Sequence, residues 1–157
     1  MTSRQQRSIE LFMEGYNCAQ AVAMSFADLM GMEEKYCARL SSSFGGGMGR
    51  MREVCGAVSG MFMAAGVLYG YEGPEEGGIK KEHYTRIQYL AEQFRKEAGS
   101  IICREILKNP PSDPAPSPRT QAYYAQRPCA RMVALAVGIL EAYIAENPIS
   151  EELSKFH

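Results

Sequence analysis

Apolar residues recur at helical spacing, three and four positions apart, along most of this chain. The first such segment covers residues 4–14, and Gly15 follows it as a left-handed C-cap. Asn17 is a typical N-cap residue, and Gln20 stands three positions later, where it completes a capping box. The pattern therefore predicts a second helix from Asn17 to about Met30.

A later segment, residues 53–69, is apolar on every face and rich in small residues. A helix that is apolar all round is buried. Gly56, Gly60 and Ala64 stand four positions apart and would form a smooth ridge against which another helix packs closely. Further helices are predicted over residues 33–41, about 79–108 and about 128–145, with a short tail helix after residue 150.

Glycine and proline interrupt this helical pattern in two places. The glycines at 45, 46, 47 and 49 favour neither a helix nor a strand. Residues 109–119 hold five of the eight prolines and predict an extended loop. Too little chain follows that loop to fold alone. We therefore expect one all-α domain over residues 1–157, a bundle of about five to seven helices around a buried glycine-rich central helix.

The composition excludes several classes of protein. The chain has 157 residues, is 46% hydrophobic and carries a formal net charge of −1. Because neither sign is in excess, binding to nucleic acid or to an anionic membrane is not indicated. The polar N-terminus shows no secretory signal, and no apolar stretch approaches the roughly 20 residues that span a bilayer. We expect a cytoplasmic chain without membrane insertion. The helix rich in small residues is compatible with a homo-oligomer.

Five cysteines are the first candidates for chemistry. In a reducing compartment, metal binding or redox chemistry is a more common use of cysteine than a structural disulfide. Cys18, Cys55 and Cys129 fall at predicted helix N-termini, where the helix dipole is expected to lower the pKa of a thiol. Cys103 is predicted inside the long helix near its C-terminal end, and Cys37 lies midway along a short helix.

The spacing of the cysteines contains no CxxC pair, so no local zinc or thioredoxin motif is present. Any shared site would have to be assembled by the fold, with each helix contributing one sulfur. The alternative is that each cysteine is simply a small buried core residue.

The glycine run has two interpretations as well. Its backbone amides could surround an anion such as a phosphate or an iron–sulfur cluster, or the run could be a tight corner before the buried helix. It is neither a Walker loop nor a dinucleotide fingerprint. Arg50 and Arg52 could neutralise charge there or be solvated, and His83 is expected on the surface. The candidate cofactor-binding residues are Gly45, Gly46, Gly47 and Gly49.

Several of these segments together resemble a known family, the redox-active proteins labelled by the cysteine signature C_GCAxxG_C_C. The matching residues are Tyr16-Asn17-Cys18-Ala19-Gln20, Phe44-Gly45-Gly46-Gly47-Met48-Gly49 and Cys55-Gly56-Ala57-Val58-Ser59-Gly60, followed by single cysteines at 103 and 129. The resemblance covers about residues 15–138. It implies that the family cysteines are Cys18, Cys55, Cys103 and Cys129, and that Cys37 is incidental.

We therefore expect these four cysteines to form one site. In the first mechanism their thiolates hold an iron–sulfur cluster, [2Fe–2S] being the simplest, for electron transfer. In the second they are metal-free dithiols, with Cys18 or Cys55 as the attacking thiol. Both call for a redox partner protein. Structural zinc, or a helical interaction module with buried thiols, are the remaining alternatives.

Overall fold

The computed structural model of the protein describes residues 1–74 and 77–150, and over these residues the chain is all-α, as predicted. The first helices are α1 (Ser3–Glu14), α2 (Cys18–Ser25), α3 (Ala27–Met30), α4 (Glu34–Ser41) and the single turn α5 (Gly45–Met48), with a 3-10 turn at Ser42–Phe44. The later helices are α6 (Gly56–Tyr69), α7 (Gly78–Ala98), α8 (Cys103–Ile106), α9 (Gln121–Gln126) and α10 (Cys129–Glu146). The described residues form more helices than the five to seven expected, because several are single turns. The predicted tail helix lies outside them.

The predicted signals at the ends of the first two helices are confirmed. Gly15 adopts φ 117° and closes α1 with its backbone N–H directed at the carbonyls of Leu11 and Phe12. The Asn17 side chain accepts a hydrogen bond from the Gln20 backbone N–H at 2.9 Å, and the Gln20 side chain accepts one from the Asn17 N–H at 3.0 Å. This reciprocal capping box satisfies two N–H groups that would otherwise lack a partner. It also fixes where α2 begins.

Two predicted helices are wrong in length. The segment after Asn17 breaks at Phe26 into α2 and α3. The helix expected over residues 79–108 ends at Ala98, because Gly99 adopts the left-handed conformation (φ 86°) and stops it. The chain then turns before α8 begins. Ser100 Oγ accepts the Ile102 N–H at 2.9 Å and stabilises this turn. Cys103 consequently begins a helix instead of lying near the end of one.

Helix α6 is the buried central helix that the sequence predicts, and it packs against α2, α7 and α10. Its side chains Val58 and Met61 are fully buried. A Cβ atom on Gly60 would lie 2.6 Å from the Ala19 carbonyl oxygen, so the glycine permits the close approach of α2. Although α6 is apolar, none of the helices in the described residues has the length and hydropathy needed to span a membrane.

His83 lies in α7 and was expected on the surface, but it is only 9% exposed. Its Nδ1 lies 2.9 Å from Nη1 of Arg86. The Nε of Arg86 donates to the Tyr143 hydroxyl. Burial, together with the Arg86 charge, lowers the pKa of His83. The histidine is therefore part of the packing between α7 and α10, remote from the cysteines discussed below.

Candidate functional site

Cys18 is the first residue of α2 and is positioned by the cap that precedes it. Besides capping the helix, Asn17 donates from Nδ2 to the Ser42 carbonyl at 3.1 Å, which ties the start of α2 to the segment before the glycine run. From that run the backbone of Gly46 acts on the Cys18 thiol in the direction that lowers its pKa. The capping motif and the glycine run thus converge on one thiol.

Cys55 and Cys103 are held side by side by backbone pairing. The Cys55 N–H donates to the Ile101 carbonyl at 2.7 Å, and the Cys103 N–H donates to the Glu53 carbonyl at 2.6 Å. Between these bonds Val54 and Ile102 form the isolated antiparallel bridge. Cys55 then caps α6 and Cys103 begins α8. Neither the pairing nor the position of Cys103 follows from helical periodicity.

The glycine run allows the backbone to pass close to the cysteines. Gly46 and Gly47 have positive φ (68° and 71°), which a glycine adopts without steric cost. A Cβ atom on Gly47 would lie 2.7 Å from Cβ of Cys103. The Gly46 carbonyl accepts the Arg52 N–H (3.2 Å), and the Gly47 carbonyl accepts the Glu53 N–H (2.9 Å). These two bonds fold the segment back toward Cys55. The run is therefore a tight corner, and its amides also contact the site.

Cys129 begins α10, directly after Pro128, which is the N-cap residue. Cys18 and Cys103 both act electrostatically on its thiol, which indicates that Cys129 lies near them. Cys37 is different. It is fully buried within α4 and does not line the cavity that the other four share.

Cys18, Cys55, Cys103 and Cys129 line one cavity of about 290 Å³. The glycines at 45, 46 and 49 also line it, whereas Gly47 packs behind Cys103. In the described part of the chain, no three histidine, cysteine, aspartate or glutamate side chains form a group arranged to bind a metal ion. The cavity thus brings the four thiols to one space, although no three of them are arranged as ligands of a single metal ion among the described residues.

The expectation that helix N-termini lower the pKa of these thiols is wrong. Burial raises the pKa of Cys18, raises that of Cys55 well above its ordinary value, and raises that of Cys129 to about 12. Neighbouring thiols add to each rise, because two negative charges in one cavity repel. Backbone N–H groups lower the pKa of Cys18 and Cys55, which is the predicted direction. Removing a thiolate from water raises the pKa by more, so the net shift is upward.

The residue that sequence reasoning left undecided is Arg52. It is only 4% exposed and lines the cavity, with Nε donating to the Pro111 carbonyl at 2.9 Å and Nη1 lying 3.6 Å from the Cys103 sulfur. Arg50 also lines the cavity but donates from Nε to the Asp113 carbonyl at 2.8 Å. The signal for both was their position directly after the glycine run.

The proline-rich loop borders the cavity through Pro114, Pro116 and Ser117. Arg119, at the end of this loop, donates to the carbonyls of Phe12 (2.9 Å) and Tyr16 (3.0 Å), and its guanidinium lies 4.5 Å from the centre of the Phe12 ring. These contacts fasten the loop to the end of α1. The loop therefore forms one wall of the thiol cavity.

Fold and site together define an all-α protein in which cysteines from four helix starts line one cavity. The chain belongs to the family described as "Putative redox-active protein (C_GCAxxG_C_C)", whose model matches residues 16–143. The family label is consistent with Cys18, Cys55, Cys103 and Cys129 as its cysteines. No curated protein and no solved structure matches the chain.

Proposed function

We propose that this redox-active protein uses Cys18, Cys55, Cys103 and Cys129 as one site, which holds an iron–sulfur cluster, [2Fe–2S] in the simplest case, and carries single electrons. The observation that carries the proposal is that all four line the same cavity although they are far apart in sequence. Four cysteine thiolates are the usual ligands of such clusters.

The surroundings of the sulfurs fit such a group. Gly56 leaves open the space beside Cys18, since a Cβ atom there would lie under 3.0 Å from the sulfur. The backbone of Gly46 acts on the Cys18 thiol in the direction that favours a thiolate. Backbone N–H groups aimed at ligand sulfurs tune the potential of a cluster. When bound, the cluster would supply the one-electron chemistry, and the chain would orient the sulfurs and limit the access of water.

The electrostatics of the thiol site favour a bound cation over free thiolates. The raised pKa values of Cys18, Cys55 and Cys129 keep these thiols protonated at neutral pH. A bound metal reverses this balance, because a coordinating thiol is deprotonated outright.

A second candidate is metal-free thiol–disulfide exchange, with Cys18 or Cys55 as the attacking thiol. It is supported by the proximity of Cys18 to each of the other three thiols, all of which interact electrostatically with it. It also agrees with the absence of a metal-binding arrangement among residues 1–74 and 77–150. Against it, an attacking thiol needs a lowered pKa, whereas the pKa of both thiols is raised.

The test is the iron and acid-labile sulfide content of the full chain purified without air, together with its visible spectrum. We expect brown protein with iron and sulfide in equal amounts, about two of each per chain. Cys18→Ser and Cys129→Ser should each lose the metal, whereas Cys37→Ser, a cysteine outside the cavity, should retain it.

Each other outcome decides against the cluster. Colourless, metal-free protein whose fast-alkylating thiols disappear on mild oxidation would support thiol–disulfide exchange. Colourless protein with one zinc per chain would support a structural zinc site. Full iron retention in both Cys18→Ser and Cys129→Ser would show that the four cysteines are not the ligands.

A further inference from the structure

The thiol cavity is strongly positive although the chain as a whole carries a net charge of only −1. Four arginines line it, and no aspartate or glutamate of the described residues does so. A cavity lined by charges of one sign raises the local concentration of ligands of the opposite sign. The four are Arg50, Arg52, Arg119 and Arg127.

Three of these arginines have partners within the protein. Arg50 is bound to the loop through Asp113, and Arg119 donates to carbonyls at the end of α1. The guanidinium of Arg127 lies 5.0 Å from the centre of the Tyr123 ring. Their positions are therefore explained by contacts that hold the cavity walls.

Arg52 is not accounted for in this way. Its Nε and Nη1 have partners, but Nη2 is buried and has no hydrogen-bond partner among the described residues. Leaving a buried charged donor unsatisfied is costly, more so than for a neutral group. An unsatisfied buried group of this kind requires an explanation, and a ligand that completes its hydrogen bonds is one.

We infer that the cavity binds a small oxyanion of about the size and charge of sulfate at Nη2 of Arg52, beside the thiols. Guanidinium groups bind oxyanions through charge-assisted hydrogen bonds, and the unpartnered Nη2 carries two N–H donors for such a ligand. The Nη1 of the same guanidinium lies 3.6 Å from the Cys103 sulfur. One side chain would thus link the bound anion to the thiol site.

The size of the cavity agrees with this assignment. At about 290 Å³ it approaches the lower end of the range for small-molecule pockets. The anion site goes beyond the proposed redox function, since it adds a ligand that would bind next to the four thiols. The experiment is therefore carried out on the chain with and without metal, so that anion binding and metal binding are measured separately.

The test uses inorganic sulfate as the probe and calorimetric titration of the full chain, both as purified anaerobically and after removal of metal. Sodium chloride at matched ionic strength serves as the reference. We expect saturable binding of one sulfate per chain. Arg52→Gln should weaken it by about 10- to 100-fold, the usual loss for a hydrogen bond to a charged group, and Arg52→Lys should fall between.

The matched control is Arg95→Gln, since Arg95 is an exposed arginine of α7 whose partner is Glu92. It should bind sulfate like the natural chain. Equal loss in Arg95→Gln and Arg52→Gln would show a diffuse charge effect and overturn the inference. So would sulfate binding no stronger than chloride, or unchanged binding in Arg52→Gln.

A second measurement on the natural chain covers the case in which Arg52→Gln does not fold. Saturating sulfate should slow the alkylation of Cys103, read by mass spectrometry, and leave that of Cys37 unchanged. Equal protection of both thiols, or of neither, would overturn the inference. Sulfate binding by protein that retains no iron would refute only the cluster, whereas iron retention without sulfate binding would refute only the anion site.

Discussion

A Cβ atom placed on Gly56 would lie under 3.0 Å from the sulfur of Cys18. The same atom would lie 2.9 Å from the Phe44 carbonyl oxygen and 3.1 Å from the Ala19 nitrogen. Two of these neighbours are backbone and cannot move away cheaply. The glycine after Cys55 is therefore required by the thiol of another helix, and the segment Cys55-Gly56 joins α6 to α2 at the site.

Gly56→Ala should displace Cys18 and destabilise the chain by about 1–3 kcal/mol, the usual cost of overpacking. The matched control is Gly66→Ala in the same helix, where an added Cβ atom meets nothing within 4 Å. That variant should gain about 0.5–1 kcal/mol, because alanine is the better helix former. Urea unfolding measures both. Equal stability of the two variants would show that the contact with Cys18 is relieved by movement of α2.

Asn17→Ala should cost about 1 kcal/mol by removing the cap of α2, and it should also disturb the site. Thr2→Ala is the control, since Thr2 forms the equivalent capping box of α1 with Gln5. Both should lower the midpoint of urea unfolding. Only Asn17→Ala should change the alkylation rate of Cys18, and a change of similar size in Thr2→Ala would contradict this.

The metal-free, reduced chain should lose stability as the pH rises above about 9. An unfolded thiol releases its proton near 9.0, whereas folded Cys129 retains its proton until about 12. Between these values unfolding releases a proton, so raising the pH favours the unfolded state, and the loss is complete above the folded pKa. Cys55 acts in the same direction.

The measurement for this pH effect is the free energy of unfolding from pH 7 to 10 in the natural chain and in Cys129→Ser. The variant should show a shallower decline, because one of the responsible thiols is absent. Parallel curves would mean that Cys129 ionises normally in the folded chain.

Arg119→Ala should loosen the proline-rich loop and expose the cavity. It removes three hydrogen bonds to carbonyls at and just after the end of α1, together with the contact with the Phe12 ring. Alkylation of Cys18 and Cys129 should become several-fold faster, while Cys37, which lies outside the cavity, should react as before. Unchanged rates at all three would show that the loop does not limit access.

The fold was predictable wherever a local signal determines it. The capping box of Asn17 and Gln20, the C-cap Gly15 and the apolar character of α6 each depend on neighbouring residues, and all were found as predicted. The end of α7 was not predicted, because a glycine at position 99 could either kink a helix or end it. Which of the two occurs depends on tertiary contacts. Those contacts are the pairing of Val54 with Ile102.

The site was only partly predictable for the same reason. The positions of Cys18, Cys55 and Cys129 at helix starts were predicted correctly, but the direction of their pKa shift was not. It depends on burial and on mutual repulsion among residues far apart in sequence. The burial of Arg52 was equally hidden, since an arginine after a glycine run is as often solvated as buried.

Arg52 also adopts a backbone conformation that ordinarily belongs to glycine, with φ 62°. A left-handed non-glycine residue is held at a cost of about 1 kcal/mol, which the surrounding structure must offset. A search for more stable variants of this protein would therefore select glycine at position 52, and the same replacement would leave the thiol cavity without its buried cation. Stability and the proposed anion site are thus opposed at position 52, and selection for heat resistance alone would be expected to erode that site.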